Sequence, residues 1–115
     1  MKRNDRPDGI LATGEKLTPT IYLVCKDLQL QIPHHVKAVI FSNLQTASIL
    51  NPSLTTIVQP AFEMGQVATE LLITLIESKR AVTEFEKMVL QTELIVRDSS
   101  AKKCTENQPR KKAVK

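Results

Sequence analysis

Residues 54–70 read LTTIVQPAFEMGQVATE, and this stretch decides the fold prediction. Its first six residues, 54–59, are rich in β-branched side chains, which favour an extended strand. Pro60 comes next, and proline suits the first turn of a helix because its missing N–H costs little there. The stretch therefore predicts a strand, a stiff elbow and a helix in immediate succession.

The helix predicted after this elbow carries an apolar stripe. Apolar side chains recur three and four residues apart at the following positions: Met64, Val67, Ala68, Leu71, Leu72, Leu75 and Ile76. That spacing is typical of a well-buried amphipathic helix. Gly65, directly after Met64, is interpreted as a point of close packing and not as part of a phosphate-binding loop.

The segments on either side extend the order to β-α-β-β-α-β. Residues 9–13 (GILAT) and 37–42 (KAVIFS) are short apolar runs typical of buried strands, whereas residues 88–97 (MVLQTELIVR) form a more polar, edge-like strand. Apolar residues recur at helical spacing over residues 16–28, with Pro19 in the first turn. This alternation predicts an α/β fold with a parallel sheet.

The chain has 115 residues and a net charge of +4, and its excess of positive charge lies in the C-terminal residues. Residues 1–100 contain ten Lys and Arg against eleven Asp and Glu, whereas residues 101–115 contain six against one. Residues 101–115 are polar and show no periodicity, so we expect a disordered basic tail, and residues 1–6 form a short leader. The basicity therefore does not indicate a nucleic-acid groove in the domain at residues 7–100.

The sequence favours a cytoplasmic protein. The N-terminus has no apolar segment of the kind found in secretory signals, and no 18-residue apolar stretch could cross a membrane. The two cysteines, Cys25 on the apolar side of the first helix and Cys104 in the tail, suit a reducing compartment.

No group of residues indicates catalysis. Adjacent histidines such as His34 and His35 do not easily face one metal ion, and no cysteine or carboxylate spacing supports them. Thr55 and Thr56 are interpreted as strand formers, because no base lies near them in sequence. We therefore expect neither an enzyme nor a cofactor or metal site.

Two blocks resemble the C-terminal end of the lactose-repressor (LacI/GalR) family of bacterial transcription regulators. They are LTTIVQPAFEMGQVATELLITLI at 54–76 and LQTELIVRDSS at 90–100. In that family an LTT leads through a Gln-Pro into a Met-Gly helix, and a TELIVR-S strand ends the protein. PDGI at 7–10 and VIFSN at 39–43 also resemble the family's PDAI-like and VVGFDD-type strands, so the resemblance covers residues 7–99.

The resemblance implies part of a periplasmic-binding-protein-like domain with two Rossmann-like lobes. Three crossover strands join such lobes, and residues 58–60 would belong to one crossover. The DNA-binding head, the hinge helix and most of both lobes have no counterpart in this sequence. We therefore expect a fragment, a truncated gene product or a deliberately shortened chain.

The resemblance also implies an effector site at the carboxyl ends of the strands. The predicted ligands of a small carbohydrate-like effector are Glu15, Ser42, Asn43 and Gln59. The sequence departs from the family pattern at Gly14, which lacks the usual asparagine side chain, and at Ile40, where a glycine is common. Ser42 also replaces an acid.

The implied function is effector sensing by a homodimer that controls DNA binding through a head absent from this sequence. The residues expected at the dimer interface are Leu17, Ile21, Thr46, Ile49 and Leu50. The alternative is a truncated or degenerate interaction module that binds no ligand. A helix-turn-helix encoded in frame upstream of Met1 would favour the first interpretation.

Overall fold

The computed structural model describes residues 5–79, 81 and 83–101. Residues 1–4 of the predicted leader and residues 102–115 of the predicted tail lie outside this range. The described elements are, in chain order, β1 (Gly9–Ala12), α1 (Leu17–Asp27), β2 (Lys37–Phe41), a 3-10 helix (Gln45–Ser48), β3 (Thr55–Val58), α2 (Ala61–Ser78), β4 (Glu93–Ile95) and a second 3-10 helix (Asp98–Ser100). The prediction of a mixed α/β fold is confirmed.

The four strands form one sheet in the order β1-β2-β3-β4. β1, β2 and β3 are parallel, whereas β4 runs antiparallel to β3, so the prediction of a fully parallel sheet is wrong at this edge. β4 is also shorter than the predicted strand at 88–97. It begins at Glu93 because Glu93 lies opposite Val58, the last residue of β3, and earlier residues have no partner in that strand.

The core lies where α1 and the first 3-10 helix cover the parallel strands. Seven apolar side chains of the described residues are buried, including Cys25 and Val36. The other five pack into one cluster: Ala12, Ala38, Ile40, Ala47 and Leu54. Three of these five residues are alanines, whose small side chains let the covering layer lie close to the sheet. The hydroxyl of Tyr22, in α1, donates to the carbonyl oxygen of Pro52 at 2.6 Å and holds the helix against the loop before β3.

α1 turns only part of its predicted apolar stripe toward the core. Thr18 and Cys25 are buried, as expected for the cysteine. Leu17 and Val24, by contrast, are 47% and 41% exposed. The apolar stripe of α1 is therefore wide enough to serve the core and to leave apolar surface on the outside.

α2 is the least covered element. None of its 18 residues, all of which the structure describes, is buried, so the prediction of a well-buried helix is wrong for this chain. Leu72 is 57% exposed and Ile76 is 68% exposed. The predicted close packing at Gly65 is also wrong, because a Cβ added there would meet no atom within 4 Å. No helix in the described residues is long and apolar enough to cross a membrane.

Residues 97–100 (RDSS), which we call the C-terminal latch, fasten the end of the described chain to the sheet. The Ser99 hydroxyl is fully buried and donates to the carbonyl oxygen of Ala38, in β2, at 2.6 Å. The same hydroxyl accepts a hydrogen bond from the backbone N–H of Thr55, in β3, at 2.8 Å. One side chain thus connects two strands that lie side by side.

Arg97 binds the opposite side of β3. Its guanidinium donates to the carbonyl oxygen of Leu54 at 2.8 Å and to the hydroxyl of Thr56 at 2.9 Å. The backbone N–H of Arg97 donates to the hydroxyl of Thr55 at 2.8 Å. Both threonines lie in β3, as predicted, and their hydroxyls also bond to the latch, a role that the sequence pattern does not indicate.

Candidate functional site

The carboxyl ends of the three parallel strands meet at one edge of the sheet, which we call the carboxyl edge. Glu15 follows β1 by three residues, Ser42 and Asn43 come directly after β2, and Gln59 comes directly after β3. Because β1, β2 and β3 run in the same direction, the structure brings all four predicted ligand residues to this edge.

Glu15 and Ser42 form the first of two polar pairs at the carboxyl edge. The Ser42 hydroxyl donates to a carboxylate oxygen of Glu15 at 3.4 Å. Ser42 is 8% exposed, whereas Glu15 is exposed to solvent. The bond is long for an O–H···O contact and therefore weak. A hydroxyl from a ligand can replace it at small cost, because the carboxylate keeps an acceptor and the serine keeps a donor.

Asn43 and Gln59 form the second pair, and here the contacts are short. The Asn43 amide nitrogen donates to the backbone carbonyl oxygen of Gln59 at 2.8 Å. The backbone N–H of Gln59 donates to the Asn43 amide oxygen at 2.7 Å. The side chain of Asn43 thus binds the main chain at the end of β3, and the side chain of Gln59 takes no part in these two bonds.

Two of the predicted ligands, Glu15 and Gln59, line separate clefts. Glu15 lines a cleft of about 800 Å³ between α1 and residues 44–51. Gln59 lines another of about 610 Å³ between α2 and residues 86–92, with a wall that is largely apolar. Glu15 and Gln59 thus lie at the same edge of the sheet but face different clefts.

Burial shifts the pKa of two side chains of α1. Burial raises the pKa of the Cys25 thiol above its ordinary value, which keeps the thiol neutral near pH 7. Burial also raises the pKa of Tyr22, and the neighbouring Cys25 adds to that rise. A neutral, buried thiol behaves as a small apolar side chain in the core, in line with its placement by the sequence pattern.

The predicted dimer residues divide into two groups. Ile49 is 78% exposed and Leu17 is 47% exposed, and Thr46 is exposed as well. Ile21 and Leu50 are half-buried and pack against the core. Two outward apolar residues of α1 that the sequence analysis did not assign to this surface are Leu23 and Val24, which are 59% and 41% exposed.

A parallel sheet with polar residues at its carboxyl edge is typical of α/β domains that bind small ligands, and a family model of such a domain matches this chain. Residues 1–100 match the model described as a periplasmic binding protein-like domain. The matched region contains all of the strands and helices described above.

Individual relatives narrow the class. The lactose operon repressor of Rhizobium radiobacter is 33% identical over 98 residues, which cover 84% of this chain and 83% of that protein. The HTH-type transcriptional regulator RegA of Clostridium saccharobutylicum is 31% identical over 97 residues, which cover 84% of this chain and 29% of RegA. The chain belongs to the LacI family of transcriptional regulators, and the resemblance found in the sequence is confirmed.

A solved structure shows the same relation in three dimensions. A LacI family transcriptional regulator from Enterococcus faecium, solved with bound ribose, superposes with a TM-score of 0.67 at 28% identity. The superposition covers 85% of this chain and 36% of the regulator. The chain thus spans about a third or less of the length of RegA and of this regulator.

Proposed function

We propose that this chain is the C-terminal part of an effector-sensing domain, and that it helps to bind a small carbohydrate-like molecule. The observation that carries the proposal is the convergence of Glu15, Ser42, Asn43 and Gln59 at the carboxyl edge of the parallel strands. The ribose bound to the Enterococcus faecium relative supports the ligand class.

The chemistry of these residues suits a ligand rich in hydroxyl groups. The Glu15 carboxylate accepts hydrogen bonds, whereas the Ser42 hydroxyl and the Gln59 carboxamide can each donate and accept. A neutral Ser42 supplies one hydroxyl where the family often has a carboxylate. We therefore propose an effector different from those that an aspartate at this position would hold.

The proposed regulator acts as a homodimer, and effector binding sets the operator affinity of an N-terminal DNA-binding head that has no counterpart in this sequence. The exposed apolar residues Leu17 and Ile49 support a partner surface on the side of α1. Closure of two lobes on an effector is a recognised way to couple a ligand site to a distant interface.

The test uses a domain in which this chain is completed by the N-terminal part of the Enterococcus faecium relative. Calorimetric titration with ribose and other mono- and disaccharides should find an effector. Glu15→Gln should weaken its binding about 10-fold or more, because hydrogen bonds to charged groups contribute about 1.5–3 kcal/mol. Ser42→Ala should weaken it by a smaller factor.

Matched controls make the same chemical changes elsewhere. Glu93→Gln and Ser48→Ala alter exposed residues away from the pair formed by Glu15 and Ser42, and both should leave the affinity unchanged. Sugar binding that is insensitive to Glu15→Gln and Ser42→Ala would contradict the proposed site. The absence of any sugar binding by the completed domain would favour the interaction module that binds no ligand.

A further inference from the structure

Asn43 lies between the pair formed by Glu15 and Ser42 and the start of α2. We propose that Asn43 is a positioning residue: it fixes the loop after β2 to the elbow before α2, so that a change at Ser42 reaches the first turn of α2. The effector side of this inference rests on the proposed function, whereas the mechanical link does not.

The link consists of bonds within one short segment. Both polar atoms of the Asn43 carboxamide are bound to the main chain of Gln59, at 2.8 and 2.7 Å. The Gln59 carbonyl oxygen also accepts the backbone N–H of Ala61, the first residue of α2, at 2.9 Å. The next bond of the helix runs from the Met64 N–H to the Pro60 carbonyl oxygen, also at 2.9 Å.

The elbow is stiff enough to transmit a displacement. Pro60 fixes its own φ and restricts the backbone of Gln59 to extended conformations. The ladder between β3 and β4 ends at Val58. Beyond it, the Gln59 main chain is held by its two hydrogen bonds to the Asn43 side chain. Movement of Asn43 must therefore shift the Gln59 peptide or break both bonds.

The residue type at position 43 suits this task. A carboxamide presents one donor and one acceptor in a single plane, whereas a carboxylate has no donor and an alanine has neither group. Asn43→Asp keeps the bond from the Gln59 N–H and loses the bond to its carbonyl oxygen. Asn43→Ala loses both, so the two variants separate the amide's two roles.

The experiment is hydrogen exchange on the 115-residue chain, read at single residues by mass spectrometry, which tolerates self-association. The Gln59 N–H reports the Asn43 bond, and the Met64 N–H reports the first turn of α2. The Thr55 N–H, held by Ser99, reports the fold as a whole. Asn43→Ala should accelerate exchange at Gln59 about 5- to 10-fold, as loss of one hydrogen bond implies. Asn43→Asp should retain most of that protection, and Thr55 should be unchanged in both.

Two substitutions are combined to test whether a change at Ser42 reaches the first turn of α2 through Asn43. Ser42→Ala should change the exchange rates of Gln59 and Met64 in the wild-type background and change neither in the Asn43→Ala background, whereas Ser48→Ala should change neither in any background. Equal effects of Ser42→Ala in both backgrounds would overturn the inference. So would loss of Thr55 protection in both Asn43 variants, since the residue would then support the whole fold. No sugar is needed, so failure here leaves the effector test intact.

Discussion

At the scale of single residues, one hydroxyl group joins three segments of the chain. Ser99 Oγ donates to the Ala38 carbonyl in β2 and accepts the Thr55 N–H in β3, and the side chain is fully buried. A buried backbone group without a partner costs about 1–3 kcal/mol. Through Ser99, the C-terminal latch therefore bonds one main-chain donor and one main-chain acceptor of two neighbouring strands.

Ser99→Ala should lower the free energy of unfolding by about 2–4 kcal/mol, because it removes the partner of two buried backbone groups. Ser48→Ala makes the same change at an exposed position and should stay within about 0.5 kcal/mol of wild type. Urea denaturation at one protein concentration measures both. Equal midpoints for the two variants would show that the latch does not stabilise the sheet.

The sequence was sufficient to predict the surroundings of some side chains and not those of others. The helical spacing around Cys25 was sufficient to place its side chain in the core. The hydroxyl bonds of Thr55 could not be foreseen, because a strand pattern describes backbone pairing. The partners of its hydroxyl are main-chain atoms of Arg97 and the hydroxyl of Ser100, which lie 42 and 45 residues away in sequence. Such bonds depend on how segments far apart in sequence align in the sheet, and local periodicity carries no information about that alignment.

At the scale of elements, an apolar stripe indicates which face of a helix is apolar but not whether another layer covers it. This is why α1 and α2, predicted by the same kind of spacing, differ in burial. The bounds of β4 could not be predicted for a related reason. Its length is set by where β3 ends, and the residues before Glu93 are no less strand-like than those after it.

The same substitution in two elements should have very different costs. Leu54, the residue before β3, is 2% exposed, whereas Leu72 of α2 is 57% exposed. Leu54→Ala should lower the free energy of unfolding by about 2–5 kcal/mol, and Leu72→Ala by less than about 1 kcal/mol. Chemical denaturation of both variants measures the difference. Equal costs would mean that α2 is covered in solution.

Across the whole molecule, the described residues leave many large apolar side chains exposed. They lie along α2 and, on and beside α1, at Leu17, Leu23 and Ile49. An exposed apolar surface of this extent is typical of an interface. Under the proposed function, the exposed residues on and beside α1 would pair regulator subunits, and the surface of α2 would contact the remainder of a two-lobed domain.

Ile49→Glu should weaken self-association of the completed regulator while leaving its effector affinity near normal, because Ile49 is 78% exposed and its neighbour Leu50 packs against the core. Gln91→Glu adds the same charge at a distant exposed position and serves as the control. Sedimentation velocity over a range of concentrations measures the dimer affinity. An unchanged dimer affinity in Ile49→Glu would remove this residue from the interface.

The proposed function requires the carboxyl edge to form one wall of an effector site and the remainder of a LacI-type domain to supply the other. The most direct test is calorimetric titration of the same sugars into the 115-residue chain alone and into the completed domain. The expected result is saturable binding by the completed domain and no measurable heat from the chain alone. The chain alone would offer few hydrogen-bonding groups to the sugar and would not enclose it. Binding by the chain alone, tighter than about 1 mM (about −4 kcal/mol), would contradict this requirement.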